Sequence, residues 1–197
     1  MDQYLYPWYD GDGGTHISTV WARNYDECLE KIAKHLVDEY EDLDDTIFDF
    51  LGAYQDTFPG EKNMTEPKIT KNVLSLKRDK KFWENLPLLE MPNFEPCIYA
   101  TKRINSKVYT RNCLSKHGLP IKPIYQIYTQ SGNKATIIKG RCDVLVDDSV
   151  RNCIQAMKVG FPAILITRPH NVNSNYPYRI NRLDIEEITA VYASIVL

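Results

Sequence analysis

The chain has 197 residues, of which 43% are hydrophobic, so it can bury a core and a disordered chain is not expected. The net charge is −2, but residues 1–62 carry fifteen Asp or Glu and four Lys or Arg, whereas the other 135 residues carry eleven and twenty. The five cysteines form no C-x-x-C pair, which indicates neither a disulfide framework nor a zinc site. A signal-peptide pattern and an apolar run of about 18 residues are both lacking, so we expect a cytoplasmic protein without a membrane span.

The first part of the chain predicts strands and a helix. Tyr4–Tyr9 and His16–Ala22 are rich in aromatic and β-branched residues, and the glycine-rich Asp10–Gly14 between them indicates either a hairpin or a strand followed by a loop. Apolar residues then recur at helical spacing over Tyr25–Tyr40, which predicts a helix capped by Asn24.

An acidic run, Glu39–Asp45, follows, and we interpret it as a solvated turn before a second predicted helix over Thr46–Tyr54. Residues 56–80 contain proline and glycine and predict a linker or an irregular segment. The stretch Lys68–Lys81 is basic but has no interleaved aromatic residue before Phe82, so a solvated face is favoured over a nucleic-acid site.

From Cys97 onward, short apolar runs alternate with helical patterns. This alternation predicts an α/β fold, with a parallel sheet covered by helices on both faces in a Rossmann-like three-layer arrangement. Ligands of such sheets bind at the carboxyl ends of the strands. The predicted strands are Cys97–Ala100, Ile124–Thr129, Asp143–Val146 and Pro162–Thr167. The predicted helices are Asn105–His117, ended by Gly118, a turn at Lys134–Lys139, a helix from the cap Ser149 to Val159, before Gly160, and Ile185–Val196, capped by Asp184.

Two adjacent carboxylates, Asp147 and Asp148, follow the apolar strand Asp143–Val146. One of them can bind a hard cation such as Mg²⁺, and the other can orient a water molecule or a lysine. An acid in front of a helix that begins near Ser149 also suits the helix dipole, but one aspartate would suffice for that role. The pair therefore favours a metal site.

Two further positions suit phosphate chemistry. Thr101 ends a predicted strand and precedes Lys102 and Arg103, so its hydroxyl, the backbone N–H groups and the cations together could hold a phosphate. Lys134 begins a helical turn, and beside clustered carboxylates it would neutralise them and bridge to a phosphoryl oxygen.

These stretches together resemble motifs II, III and IV of the haloacid-dehalogenase-like superfamily. More narrowly, residues 80–197 are similar to the branch that contains cytosolic deoxyribonucleotidases and their phage relatives. The stretches are Ile98-Tyr-Ala-Thr101-Lys102-Arg103, Lys134-Ala-Thr-Ile-Ile and Asp143-Val-Leu-Val-Asp147-Asp148-Ser149, with support from Phe82-Trp83-Glu-Asn-Leu-Pro87, Lys116-His-Gly-Leu-Pro120 and Ala163-Ile-Leu-Ile-Thr-Arg168-Pro-His-Asn171.

The resemblance implies a Mg²⁺-dependent phosphomonoesterase whose substrate is a small phosphate ester, expected to be a nucleotide. In the family, an aspartate after the first strand, in a D-x-D-G pattern followed by Thr or Val, is the nucleophile, and the second aspartate is the general acid and base. The candidate here is Asp10-Gly-Asp12-Gly-Gly-Thr15. The expected catalytic residues are Asp10, Asp12, Lys134 and Asp147, the expected phosphate ligands are Thr101, Lys102 and Lys134, and the expected metal ligands are Asp10, Asp12 and Asp148.

The N-terminal segment has two possible organisations. Residues 1–80 could contain motif I and a helical cap, with residues 81–197 as the α/β core. Alternatively, the core is catalytically inactive and residues 1–62 form a separate acidic module that binds a basic protein partner. The location of Asp10 relative to Lys134 and Asp148 distinguishes the two. The histidines show no ligand spacing, so they are assigned no function.

Overall fold

The computed structural model describes residues 2–9, 15–22, 39–41, 43–61, 75–103, 105–126 and 134–197, and for residues 2–9, 15–22, 39–41 and 61 it describes the backbone alone. None of the helices in this described part has the length and hydropathy that a membrane crossing requires. The strands are β1 (Asp2–Tyr9), β2 (Thr15–Ala22), β3 (Glu39–Glu41), β4 (Ile98–Thr101), β5 (Ile124–Gln126), β6 (Val144–Asp147), β7 (Ala163–Ile166) and β8 (Arg179–Ile180). The helices are α1 (Phe50–Thr57), α2 (Lys80–Glu84), α3 (Lys107–Lys116), α4 (Lys134–Ile138), α5 (Val150–Lys158) and α6 (Ile185–Val196), with 3-10 turns at Pro59–Glu61 and Leu76–Arg78.

The N-terminal strands form a sheet of their own. β1 pairs with β2 in antiparallel register, with Tyr9 opposite Thr15, and neither strand belongs to the larger sheet. Of the two arrangements predicted around Asp10–Gly14, the paired strands correspond to the hairpin.

The larger sheet has six parallel strands in the order β5-β4-β3-β6-β7-β8. The predicted α/β class and the predicted parallel sheet are therefore confirmed. If these six strands are renumbered 1 to 6 in chain order, starting from β3, their order in the sheet is 3-2-1-4-5-6, as in doubly wound folds. The direction in which the chain adds strands reverses between β3 and β6. Ligand sites in such sheets lie at this reversal, beyond the carboxyl ends of the two strands.

The strand β3 lies where the sequence predicted the end of a helix (Tyr25–Tyr40) and a solvated turn (Glu39–Asp45), and both predictions are wrong at Glu39–Glu41. Glu39 pairs with Val144, and Tyr40 lies opposite Ile98, so this segment is neither the end of a helix nor a solvated turn. A strand with a neighbour on each side satisfies its backbone N–H and C=O groups whatever its side chains are, which is why an acidic tripeptide can occupy the centre of the sheet. The remainder of the predicted helix, residues 25–38, lies outside the described residues.

Helix α1 begins at Phe50 rather than at the predicted Thr46. The residues in between form a turn in which the Phe48 N–H donates to the carbonyl of Leu43 at 2.8 Å. Asp49 then caps the helix by accepting a hydrogen bond from the Gly52 N–H at 2.7 Å. Leu43, Phe48 and Phe50 are buried in the main hydrophobic cluster, so this part of residues 1–62 belongs to the core and not to a separate module.

Two hydrophobic clusters cover the parallel sheet. Val144 and Val146 of β6 pack with Leu114 of α3 and Ile188 of α6, whereas Leu145 packs in a second cluster with α4 and α5. Because successive side chains of a strand point to opposite faces, the two clusters lie on opposite faces of the sheet.

Most predicted helix ends agree with the structure. Ser149 caps α5 and Asp184 caps α6 through side-chain oxygens that accept backbone N–H groups. Gly118 and Gly160 follow α3 and α5 with φ values of 71° and 67°, the left-handed conformation that ends a helix at low energetic cost.

Candidate active site

Four strand ends bring polar side chains together at the reversal of the sheet. Asp44, Asp45 and Thr46 follow β3, and Thr101 ends β4. The other two strand ends contribute Asp147 and Asp148 from β6 and the turn Arg168–Asn171 after β7.

Lys134 and Asp147 form a buried ion pair. The Lys134 Nζ donates to Asp147 Oδ2 at 2.8 Å, and the two side chains are 1% and 0% exposed. Asp147 also accepts the Ser149 N–H at 2.9 Å and the Asn152 amide at 2.9 and 3.1 Å. The predicted proximity of Lys134 to the acid pair is confirmed. Both oxygens of Asp147 are engaged, so its carboxylate holds Lys134 in place.

Asp148 pairs with a histidine. His170 Nε2 lies 2.8 Å from Asp148 Oδ2, and the Thr46 hydroxyl donates to Asp148 Oδ1 at 3.3 Å. Burial raises the pKa of Asp148, although the hydrogen bond from His170 opposes the shift. Burial alone would lower the pKa of His170, but the hydrogen bond to Asp148 and the charge of Asp148 raise it overall. Sequence reasoning gave His170 no function, since no ligand spacing marks it.

Asp44 is held by two groups from the end of β4. The Thr101 hydroxyl donates to Asp44 Oδ2 at 3.2 Å, and Arg103 Nε donates to Asp44 Oδ1 at 2.7 Å. The guanidinium of Arg103 lies over the rings of Phe48 and Trp83, with centroids at 5.4 and 5.5 Å. The acidic run is therefore part of the site, and its interpretation as a solvated turn is wrong.

Asp45 has an unusual backbone and an unusual side chain. Its φ of 56° is the one positive value at a non-glycine residue in the described part of the chain. Its Oδ1 accepts the Leu51 N–H at 2.9 Å, and its buried Oδ2 has no hydrogen-bond partner among the described residues. Burial, followed by the negative charge of Asp148, raises the pKa of Asp45 to about 8.

Lys102 reaches the same network through Asn152. Its Nζ donates to Asn152 Oδ1 at 3.0 Å, while the Asn152 amide donates to Asp147. Asn152 lies in the first turn of α5, where the only sequence signal was its position three residues after the cap Ser149. Thr101, Lys102 and Lys134, the predicted phosphate ligands, thus all lie at this end of the sheet.

Asp10 and Asp12 lie outside the described residues, so their assignment as catalytic residues and metal ligands stays a prediction. The adjoining strands β1 and β2 are not part of the parallel sheet. In that sheet, β3 is the strand next to β6 at the reversal. Within the described ranges, no three His, Cys, Asp or Glu side chains are grouped to hold a metal ion. Asp42, which follows β3 in the sequence, lies outside the described residues.

No protein-family model matches this chain, and no curated protein matches it either.

We predict that Lys134→Met destabilises the fold by about 3–5 kcal/mol, because Asp147 would remain as a buried charge without a partner. The double variant Lys134→Met/Asp147→Asn removes both charges and should be less destabilised than Lys134→Met alone. Urea unfolding measures the difference. Lys80→Met, at a lysine that is 67% exposed, is the control and should change stability little. Equal effects at both lysines would contradict the buried pair.

The raised pKa of Asp45 predicts how stability depends on pH in the presence of EDTA. Between 3.8 and about 8 the folded chain keeps a proton on Asp45 that the unfolded chain has released, so the free energy of unfolding falls as pH rises through this range. Asp45→Asn retains an acceptor for the Leu51 N–H but cannot titrate. The slope of the free energy of unfolding against pH should therefore be less negative in this variant, by up to about 1.4 kcal/mol per pH unit. Asp56→Asn, at an exposed aspartate, should leave the slope unchanged. Urea unfolding at several pH values tests this, and an equal slope in wild type and Asp45→Asn would contradict it.

Proposed function

We propose that this chain is a Mg²⁺-dependent phosphomonoesterase of the haloacid-dehalogenase type, with a three-layer core and a nucleotide as its substrate. One observation carries the proposal. In the sequence, the strand next to β6 at the reversal of the sheet is followed by Asp42-Leu43-Asp44-Asp45-Thr46, and Thr46 of this stretch donates a hydrogen bond to Asp148 of the acid pair.

This stretch departs from the D-x-D-G-T pattern of motif I at one position, as the stretch at Asp10 also does, but it follows the strand next to β6. Asp42 and Asp44 have the required spacing, Thr46 is at the required position, and Asp45 replaces the glycine. The φ of 56° at Asp45 is the conformation for which glycine is the usual residue and which aspartate also tolerates. A backbone that needs a glycine-like conformation at this position supports motif I here.

The proposed reaction has two steps. The carboxylate of Asp42 attacks phosphorus, the ester P–O bond breaks, and the leaving oxygen takes a proton from Asp44. Asp44 then removes a proton from water, which attacks the aspartyl-phosphate, so that inorganic phosphate leaves and Asp42 is regenerated. Arg103 and Thr101 hold the carboxylate of Asp44 at the end of β4 and so fix its orientation.

Lys134 and Lys102 are proposed to bind the phosphoryl oxygens. Asp147 holds Lys134 and Asn152 holds Lys102, so both ammonium groups are oriented before substrate arrives. The backbone N–H groups after β4 and the Thr101 hydroxyl would complete the phosphate site.

The donors near Asp148 fit Mg²⁺ by their chemistry. Asp45 and Asp148 are both buried, the negative charge of Asp148 raises the pKa of Asp45, and one oxygen of Asp45 has no partner among the described residues. Asp148 and Asp42 would hold the ion, which when bound would neutralise the attacking carboxylate and the phosphate. Asp45 would contribute negative charge nearby.

We predict that Asp42→Asn reduces phosphate release to the background level, because the substitution removes the nucleophile with little change in volume. Asp44→Asn should lower the rate by about 10²–10⁴-fold, the usual contribution of a general acid and base. Asp10→Asn is the matched control and should remain active. The measurement is phosphate release from a panel of nucleoside monophosphates with Mg²⁺ or with EDTA.

Two outcomes would contradict parts of this proposal. If Asp10→Asn were inactive and Asp42→Asn active, the nucleophile would be Asp10. If the wild-type protein released no phosphate from any nucleotide or from p-nitrophenyl phosphate with Mg²⁺, the proposed phosphatase activity would be refuted.

Mg²⁺ should also stabilise the folded protein, by roughly 2.7 kcal/mol at about 100 times its Kd. Asp148→Asn removes a proposed ligand and should weaken this stabilisation, whereas Asp56→Asn, at an exposed position, should not. Thermal melts with Mg²⁺ and with EDTA provide the comparison. A wild-type melting temperature that does not respond to Mg²⁺ would refute the metal site.

A further inference from the structure

The turn Arg168–Asn171, which follows β7, contacts both acidic loops of the site. Its two polar ends point to different partners: Arg168 reaches the loop after β3, and Asn171 reaches the end of β6. Thr46 and Asp148, one from each loop, are themselves joined by a hydrogen bond of 3.3 Å. The turn therefore lies where it can fix the separation of the two loops.

Arg168 holds the backbone of the loop after β3. Its Nε donates to the carbonyl of Asp45 at 3.0 Å, and its Nη2 donates to the carbonyl of Thr46 at 2.6 Å. The same Nη2 pairs with Glu90 at 3.1 Å, and Glu90 in turn accepts the Leu183 N–H at 2.8 Å. The planar, forked guanidinium can meet these three acceptors at once, which an ammonium group cannot do in a fixed geometry.

Asn171 uses its whole side-chain amide. Its Nδ2 donates to the carbonyls of Asp148 at 2.7 Å and Ile166 at 2.8 Å. Its Oδ1 accepts the Arg168 N–H at 3.0 Å and Nη2 of Arg179 at 3.1 Å. Asn171 is 4% exposed, and these hydrogen bonds satisfy both polar atoms of its buried amide. A change in the position of this side chain would leave one of these atoms buried without a partner.

We propose that this turn is a brace and that Arg168 and Asn171 are positioning residues for the two acidic loops. The left-handed backbone of Asp45, with a φ of 56°, is strained for a residue other than glycine and persists only where its surroundings over-determine it. Arg168 supplies two of those restraints at the carbonyls of Asp45 and Thr46. The catalytic consequence rests on the proposed function, because Asp44 belongs to this loop and Asp42 directly precedes the loop in the sequence.

The test compares Arg168→Gln, Arg168→Lys and Arg168→Ala with the control Arg182→Gln, whose arginine is 70% exposed and pairs only with Glu187 among the ion pairs of the described residues. Arg168→Gln should lower kcat for Mg²⁺-dependent phosphate release by roughly 10–100-fold, since misplacing reacting groups by about 1 Å can cost about 10²-fold. KM should change by less than about threefold, because the loss falls on the transition state. Arg168→Lys should recover part of the rate.

Added guanidinium chloride at low millimolar concentration should restore part of the activity of Arg168→Ala, whereas sodium chloride at the same ionic strength should not. A role in packing alone would show no such selective rescue. If Arg168→Gln kept the wild-type kcat in an active enzyme, the brace would be refuted.

Amide hydrogen exchange tests the brace without activity. The Leu51 N–H, bonded to Asp45 Oδ1, should exchange faster in Arg168→Gln, while the Leu119 N–H, bonded to the carbonyl of Leu114, should be unchanged. If wild type proved inactive, the proposed function would fail while this exchange pattern still supported the brace. Unchanged exchange at Leu51 would overturn the brace whether or not the protein is an enzyme.

Discussion

The reversal of strand order between β3 and β6 determines where the chemistry of this protein can occur. The two strands are neighbours, but the chain leaves their carboxyl ends toward opposite edges of the sheet, and a crevice remains between the connections. Groups from distant parts of the sequence meet there: Asp44 and Thr101 are 57 residues apart, and Thr46 and Asp148 are 102 apart. The contacts of Asp44, Asp45 and Thr46 with the other strand ends depend on the position of β3 between β4 and β6.

The charges within this crevice are balanced one by one. Asp44 pairs with Arg103, Asp147 with Lys134 and Asp148 with His170, and Asp45 alone has no cation of its own in the described part of the chain. Buried ion pairs of this kind seldom stabilise a fold more than apolar residues of the same size would. Their concentration at one edge of the sheet is therefore better explained by a function than by stability. A proton on Asp45, at a pKa of about 8, or a bound cation relieves the remaining negative charge.

The α/β class, the parallel sheet and the helix caps at Ser149 and Asp184 could be predicted because they depend on local patterns: apolar runs, helical spacing and capping residues. β3 could not, since central parallel strands are usually apolar and this one is a three-residue strand with two glutamates. The D-x-D-x-T spacing that begins at Asp42 is visible in the sequence. It overlaps the acidic run Glu39–Asp45, and because that run was interpreted as a solvated turn, the spacing was not assigned to motif I. His170 and Asn171 had no spacing signature, because their partners are set by tertiary packing alone.

The uneven charge along the chain has a structural explanation in part. The acidic N-terminal segment supplies Asp44 and Asp45, and the basic remainder supplies the cations that meet this loop, Arg103 at a carboxylate and Arg168 at backbone carbonyls. Within residues 43–57 the acidic side chains meet basic partners inside one core, and this part of the chain is not a separate module. Arg103 is 2% exposed and aromatic rings surround its guanidinium, so without Asp44 it would be a buried cation with no carboxylate beside it. A buried charge without its partner costs several kcal/mol, so the segment around β3 and the C-terminal strands must fold as one unit.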